Sequence, residues 1–168
     1  MGTKDHKKGA LNVLKIAIIS VSSTRTITED DSGLWMKKMS KKEGHTVVQH
    51  RVVPDDKRRI ATALFDAINQ SGAQVVLLTG GTGISSKDVT IEAVRPLFQK
   101  ELTAFGPVFA QVSLEKIDSA AIMSRATAGI VGKSAVFCIP GSLRACKLAC
   151  KALIFPELGH ILKHIYHG

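Results

Sequence analysis

The segment Val75–Thr90, VVLLTGGTGISSKDVT, limits what this chain can fold into more than any other stretch. A short apolar run, Val75–Leu78, stops at Thr79 and a glycine-rich loop, Gly80–Gly83. Lys87-Asp88 follow, and then Thr90, placed to start a helix. This order describes a buried strand of a parallel sheet leading into a loop of exposed backbone N–H groups. Glycine suits such a loop for two reasons. Amides approach an anion closely only where no Cβ intervenes, and tight turns often take φ > 0. Neither the G-x-x-x-x-G-K-[ST] phosphate loop nor the G-x-G-x-x-G dinucleotide fingerprint occurs in the chain.

The remaining segments extend the same pattern. Lys15–Val21 is rich in β-branched residues and reads as a buried strand. Asp30–Gly44 reads as a helix capped by Asp31 or Ser32, and Thr46–Val53 as a strand closed by Pro54. Asp55 or Asp56 can cap a helix in which Ile60, Leu64 and Ile68 share a face. A brief helix over Thr90–Arg95 ends at Pro96, and Phe105, Val108, Phe109 and Val112 mark another. Ile122–Val131 and Ser134–Ile139 flank Gly132-Lys133 as a hairpin. A helix lined by Leu143, Cys146, Cys150 and Leu153 is broken at Pro156 before a last helix. The alternation predicts an α/β fold, with a mostly parallel mixed sheet and helices on both faces. Residues 1–13 read as a flexible arm and 14–168 as one domain.

Composition excludes several classes of function. The net charge of +9 suits nucleic acid, an acidic membrane or a polyanionic small substrate. The basic residues are scattered, however, and aromatics are only 5%, too few for a series of base-stacking platforms. A solvated basic surface or a polyanionic substrate is therefore expected, without nucleic acid or membrane. No apolar run reaches the length of a membrane span, and the N-terminus lacks an apolar signal core, so the expected location is cytoplasmic. Three cysteines make no disulfide framework, and Cys146 and Cys150, four apart on one helix face, read as small core residues.

Ligands of open α/β sheets sit outside the carboxyl ends of the strands. That rule gathers four loops on one edge: Ser22–Thr28, Pro54–Asp56, Gly80–Asp88 and Pro140–Ser142. Thr79, Gly80, Gly81, Thr82 and Gly83 offer amides and hydroxyls to a phosphate, or form a plain tight turn. Asp55 and Asp88 either cap helices and turns or hold Mg²⁺ together with a substrate phosphate. Arg125, beside Ser124, binds an anion as a fork or makes a surface salt bridge. Pro140-Gly141-Ser142 opens a helix whose N-terminus suits an anion, or Ser142 is an ordinary cap. No nucleophile–base pair for acyl transfer is present, whereas nucleotidyl transfer needs mainly positioning and charge neutralisation.

TGGTG followed by KDVT, then SRATAG, then PGS opening a helix, resemble the MoaB/MogA family of molybdenum-cofactor biosynthesis. The likeness runs from about Leu14 to Leu162 and is nearer to the MoaB branch through VFCIPGSLRACK and VFAQVSLEKI. It implies a three-layer sandwich, assembled as a homotrimer or homohexamer, that binds molybdopterin, a pterin dithiolene with a terminal phosphate. Active relatives use Mg-ATP to place AMP on that phosphate, and a non-catalytic molybdopterin carrier is the alternative. Asp55 and Asp88 match the family's essential acidic pair, Gly80–Gly83 its phosphate loop, Ser113 and Ser124 its pterin pocket, and Pro140-Gly141 the closing turn. Lys87 stands where many relatives have Arg, which keeps the charge and loses the fork.

Overall fold

The computed structural model describes residues 13–168. The arm expected over residues 1–13 lies outside the described residues apart from Val13. Strands β1 (Lys15–Val21), β2 (Thr46–Val53) and β3 (Val75–Thr79) alternate with helices α1 (Asp31–Lys42) and α2 (Lys57–Asn69). After β3 come α3 (Thr90–Val94), β4 (Lys100–Glu101), α4 (Phe105–Ile117), β5 (Thr127–Val131) and β6 (Ser134–Ile139). Helices α5 (Leu143–Ala149) and α6 (Phe155–His167) close the chain. The sheet order is β2-β1-β3-β6-β5-β4, parallel from β2 through β6 and antiparallel at β5 and β4.

Period-two alternation divides the core between the two faces of the sheet. Ile16, Ile18, Val75, Leu77, Ala135 and Phe137 pack with Met36, Phe109, Cys146 and Leu158 beneath α1, α4, α5 and α6. Ala17, Ile19, Val76, Leu78, Val136 and Cys138 pack with Ile60, Leu64, Ile91 and Val94 beneath α2 and α3. Both faces are covered, which is why the central strands are almost wholly apolar. Cys146 and Cys150 are buried core residues as expected, Cys138 is buried on the other face of the sheet, and burial pushes each thiol up.

Several local expectations are corrected. Helix α1 is capped by Asp30, whose Oδ1 accepts from Gly33 N–H at 3.0 Å, and not by Asp31 or Ser32. The Ser32 hydroxyl instead donates to Gly141 O at 2.9 Å. β5 begins at Thr127, not Ile122, because its ladder starts opposite Cys138, close to where β6 gives way to Pro140, which has no N–H to pair. Residues Asp118–Met123 form a 3-10 turn instead, entered through Asp118 at φ +49°. Helix α3 does stop just ahead of Pro96, at Val94, and Pro96 sits in a following 3-10 turn, Arg95–Leu97. Pro156, by contrast, does not break the last helix. A π turn over Cys150–Ile154 widens the ladder, with Phe155 N–H reaching Cys150 O, and Pro156 falls in the first turn of α6, where no N–H is needed.

Helix α2 settles which of two neighbouring acids is structural. Asp56 caps it, accepting from Arg59 N–H at 2.9 Å, and Asp55 is free of that task. Asp56→Ala is expected to lower unfolding free energy by about 1 kcal/mol, read by urea titration, with no change in chemistry at the neighbouring residue.

Candidate functional site

The four loops meet. A cavity of about 510 Å³ at the carboxyl edge is lined by Ser22–Arg25, Asp55, Gly80–Gly83, Lys87, Asp88, Ser124, Arg125, Pro140 and Gly141, with Ala120 and Met123 at one side. β1 and β2 leave the sheet in register at Val21 and Val53, and Ser22 N–H donates to Val53 O at 2.8 Å, which sets the first two loops side by side. Thr90 braces the glycine loop from below. Its hydroxyl donates to Gly80 O at 2.7 Å and its N–H to Gly81 O at 2.9 Å, so it is a strut for the loop as well as the first residue of α3, the start its position suggested.

Both acids line the cavity, and each has a partner of its own. Asp55 Oδ2 accepts from the Ser23 N–H at 2.9 Å and the Ser23 hydroxyl at 2.7 Å. Asp88 Oδ2 accepts from Ser85 N–H at 2.9 Å. The Ser85 hydroxyl, opposed by some desolvation and helped by the Ser85 and Gly83 N–H groups and the Arg125 charge, holds the Asp88 carboxyl below the ordinary carboxylate range. Asp88 is thus a turn acceptor and a cavity acid at once.

Other expected contacts are redirected. Thr79 is 3% exposed and does not line the cavity; its hydroxyl donates to Pro140 O at 3.1 Å and fixes the Pro140-Gly141 turn. The Gly80 N–H donates to Ile139 O at 3.1 Å, so the amides left to face a ligand belong to later loop positions. Arg125 donates to Gly83 O at 3.0 Å and pairs with Glu92, tying the loop to α3 while still lining the cavity. Ser142 is a cap, accepting from Ala145 N–H at 3.1 Å. Ser113 and Ser142 line a second cavity of about 660 Å³, walled by Phe109, Ile117, Leu148 and Ala152 and flanked by Lys116, Arg144, Lys147 and Lys151. It shares Ser124 and Pro140 with the first.

Sequence reasoning brought the Ser22–Thr28 loop to this edge and noted Lys87 in the motif, but named neither Lys87 nor any of Ser22–Arg25 as a site residue. The motif order could have assigned Lys87, whereas Ser23 carries no local mark. Arg25 and Lys87 line the cavity together with Asp55 and Asp88, and among the described residues neither basic side chain is held in an ion pair.

A buried cluster behind the Ser22–Glu29 loop was also missed. A bulge at Val48 shifts the β1–β2 register, so that His50 pairs with Ile18 and faces α1. There His50 Nε2 lies 2.8 Å from Asp30 Oδ2, which also accepts from Ser20 Oγ. Burial pushes the Asp30 carboxyl up, but His50, Ser20 and Gly33 N–H together hold it below the usual range. A lowered folded value means that this stabilisation is present above the unfolded value of about 4 and is lost as pH falls through the folded one. Asp30→Asn is expected to cost about 2 kcal/mol near neutral pH. Its melting temperature should also fall less steeply below about pH 4 than that of the parent.

The comparisons with known proteins agree on one family. A family model described as "Probable molybdopterin binding domain" matches residues 17–160. The chain is 44% identical over 166 residues to the Molybdenum cofactor biosynthesis protein B of Bacillus subtilis, covering 98% of each. It is 46% identical over 171 residues to the Molybdopterin adenylyltransferase of Pyrococcus furiosus, again covering 98% of each. Its fold is similar to the crystal structure of the tungsten cofactor synthesizing protein MoaB from Pyrococcus furiosus, with a TM-score of 0.85 at 43% identity, over 93% of this chain and 99% of that one.

Proposed function

The chain belongs to the molybdopterin-binding-domain family, and from that premise we propose that it is a molybdopterin adenylyltransferase of molybdenum or tungsten cofactor biosynthesis. The observation that carries this reading is the meeting of Asp55 and Asp88 with the glycine loop on one cavity, 33 residues apart in sequence (88 − 55).

In the proposed reaction an oxygen of the pterin's terminal phosphate supplies the electron pair of a new bond to the α-phosphorus of ATP. The α–β bridge breaks, and pyrophosphate leaves with that bond's electrons. Nothing is oxidised or reduced. Asp55 and Asp88 would hold Mg²⁺, which when bound neutralises charge on the triphosphate. The donor set fits such an ion. Among the described residues no three His, Cys, Asp or Glu gather as a metal cage, and two carboxylates suit a cation whose other ligands are phosphates and water. Arg25 and Lys87 attract and seat the polyphosphate. Thr82 and Gly83 cradle the attacking phosphate, and Arg125 keeps that loop in place through Gly83 O. The second cavity, apolar-walled with Ser113, Ser124 and Ser142 in its lining, suits a flat pterin whose phosphate reaches the first past Ser124.

Trimeric or hexameric assembly is part of the same proposal. Leu114, Ile117, Ile122 and Met123 are exposed around the end of α4, Ile122 at 90%, and support burial against another copy. Among the described residues no helix is long and apolar enough to cross a membrane. The test of function is incubation with Mg-ATP and molybdopterin. The expected result is one pyrophosphate released per pterin consumed. Pterin binding with no pyrophosphate would instead identify a carrier.

A further inference from the structure

Ser23 and Asp55 hold each other from adjacent loops, 32 residues apart. The Ser23 hydroxyl works in both directions: it donates to Asp55 Oδ2 at 2.7 Å and accepts from the Asp55 N–H at 3.0 Å. With the Ser23 N–H at 2.9 Å, Oδ2 has two donors. Oδ1 is different. Among the described residues it receives no hydrogen bond, and it lies over the glycine loop, where a Cβ at Gly81 would stand 3.2 Å from it.

We infer that Ser23 is a positioning residue for nucleotidyl transfer, tying off Oδ2 so that Asp55 offers Oδ1 alone, aimed over the glycine loop, to a divalent cation. The inference rests on the adenylyl-transfer reading above. Three physical reasons support it. A small octahedral cation keeps several water and phosphate ligands and is bound through few protein oxygens, so a carboxylate limited to one oxygen suits it better than a chelating one. A carboxylate already locked in its rotamer loses less freedom on binding than one swinging about two torsions. Hydrogen-bond partners of a ligating carboxylate typically change metal affinity or activity by about 10–100-fold when removed. A serine that served only the turn would behave otherwise, lowering stability and leaving cation affinity unchanged.

The experiment compares the parent with Ser23→Ala and Ser23→Thr. Mn²⁺ binding is measured by water-proton relaxation in the presence of a non-cleavable ATP analogue, and pyrophosphate release is followed against Mg²⁺ concentration. Ser23→Ala is expected to weaken Mn²⁺ binding about 10–100-fold. The Mg²⁺ concentration for half-maximal rate should rise to match, with KM for molybdopterin unchanged. Ser23→Thr, which keeps the hydroxyl, should recover most of the loss. Should Ser23→Ala misfold, Ser23→Cys makes the same comparison with a similar shape and a weak donor. Equal Mn²⁺ affinity in parent and Ser23→Ala overturns the inference and leaves the adenylyl-transfer reading standing. A parent that neither binds Mn²⁺ with the analogue nor releases pyrophosphate overturns that reading, and the inference falls with it.

Discussion

Asp88→Asn is expected to lower the rate of pyrophosphate release about a thousand-fold while leaving molybdopterin affinity near that of the parent. The substitution keeps the size of the side chain and an acceptor for Ser85 N–H, so the turn over Ser85–Asp88 survives. What it removes is a negative charge in a cavity that also holds Arg25 and Lys87. The carboxyl is held below its usual range, so near neutral pH the parent carries that charge fully. Asp55→Asn should act in the same direction. The two losses should not add, because in the proposed site losing either acid would already remove one of the two carboxylates that would hold the cation. The measurement is kcat and KM for both substrates, with urea unfolding as a control for fold. Normal turnover by Asp88→Asn would remove this residue from the chemistry. A large loss of stability alongside the lost rate would make Asp88 a turn residue first.

Gly80→Ala is expected to be strongly destabilising for a single added methyl, at about 3 kcal/mol or more. Gly80 has φ +91°, a conformation that costs an L-residue about 1–2 kcal/mol by itself. A Cβ there would also stand 2.4 Å from the backbone oxygen of Val21, an atom that no side-chain rotation can move. Relief requires β1 and β3 to separate at their carboxyl ends, where the cavity is built, so activity should fall with stability. Gly72→Ala is the control. It shares a positive φ of +66° but would meet nothing within 4 Å, and should cost only about 1 kcal/mol. Equal melting temperatures for the two variants would show that the close approach at Gly80 relaxes cheaply.

Much of this molecule is readable before any coordinates. The apolar runs at Lys15–Val21 and Ser134–Ile139 become strands because their residues are buried on both faces, and β1, β2 and β3 run parallel because helices intervene. Asp55 and Asp88 were legible as a pair because the carboxyl-edge rule brings the ends of β2 and β3 together whatever their separation in sequence. Legibility failed where a residue's partner lies far along the chain. Thr79 looks like a ligand for an anion, and only the packing of Pro140 above it turns its hydroxyl inward. Pro156 looks like a helix breaker, and only the π turn before it spares the helix. The Asp30, His50 and Ser20 cluster depends on a one-residue bulge that no pattern in Thr46–Val53 announces.

By itself, then, the amino-acid order determined the layers, the strand directions and the edge where chemistry is possible, because periodicity, glycine placement and chain handedness are local properties that add up along the chain. The tertiary structure alone decided which polar atoms face the cavity and which face each other. A hydrogen bond is directional and short, so Ser23 serves Asp55, and Gly80 N–H serves Ile139, only once strands distant in sequence stand side by side.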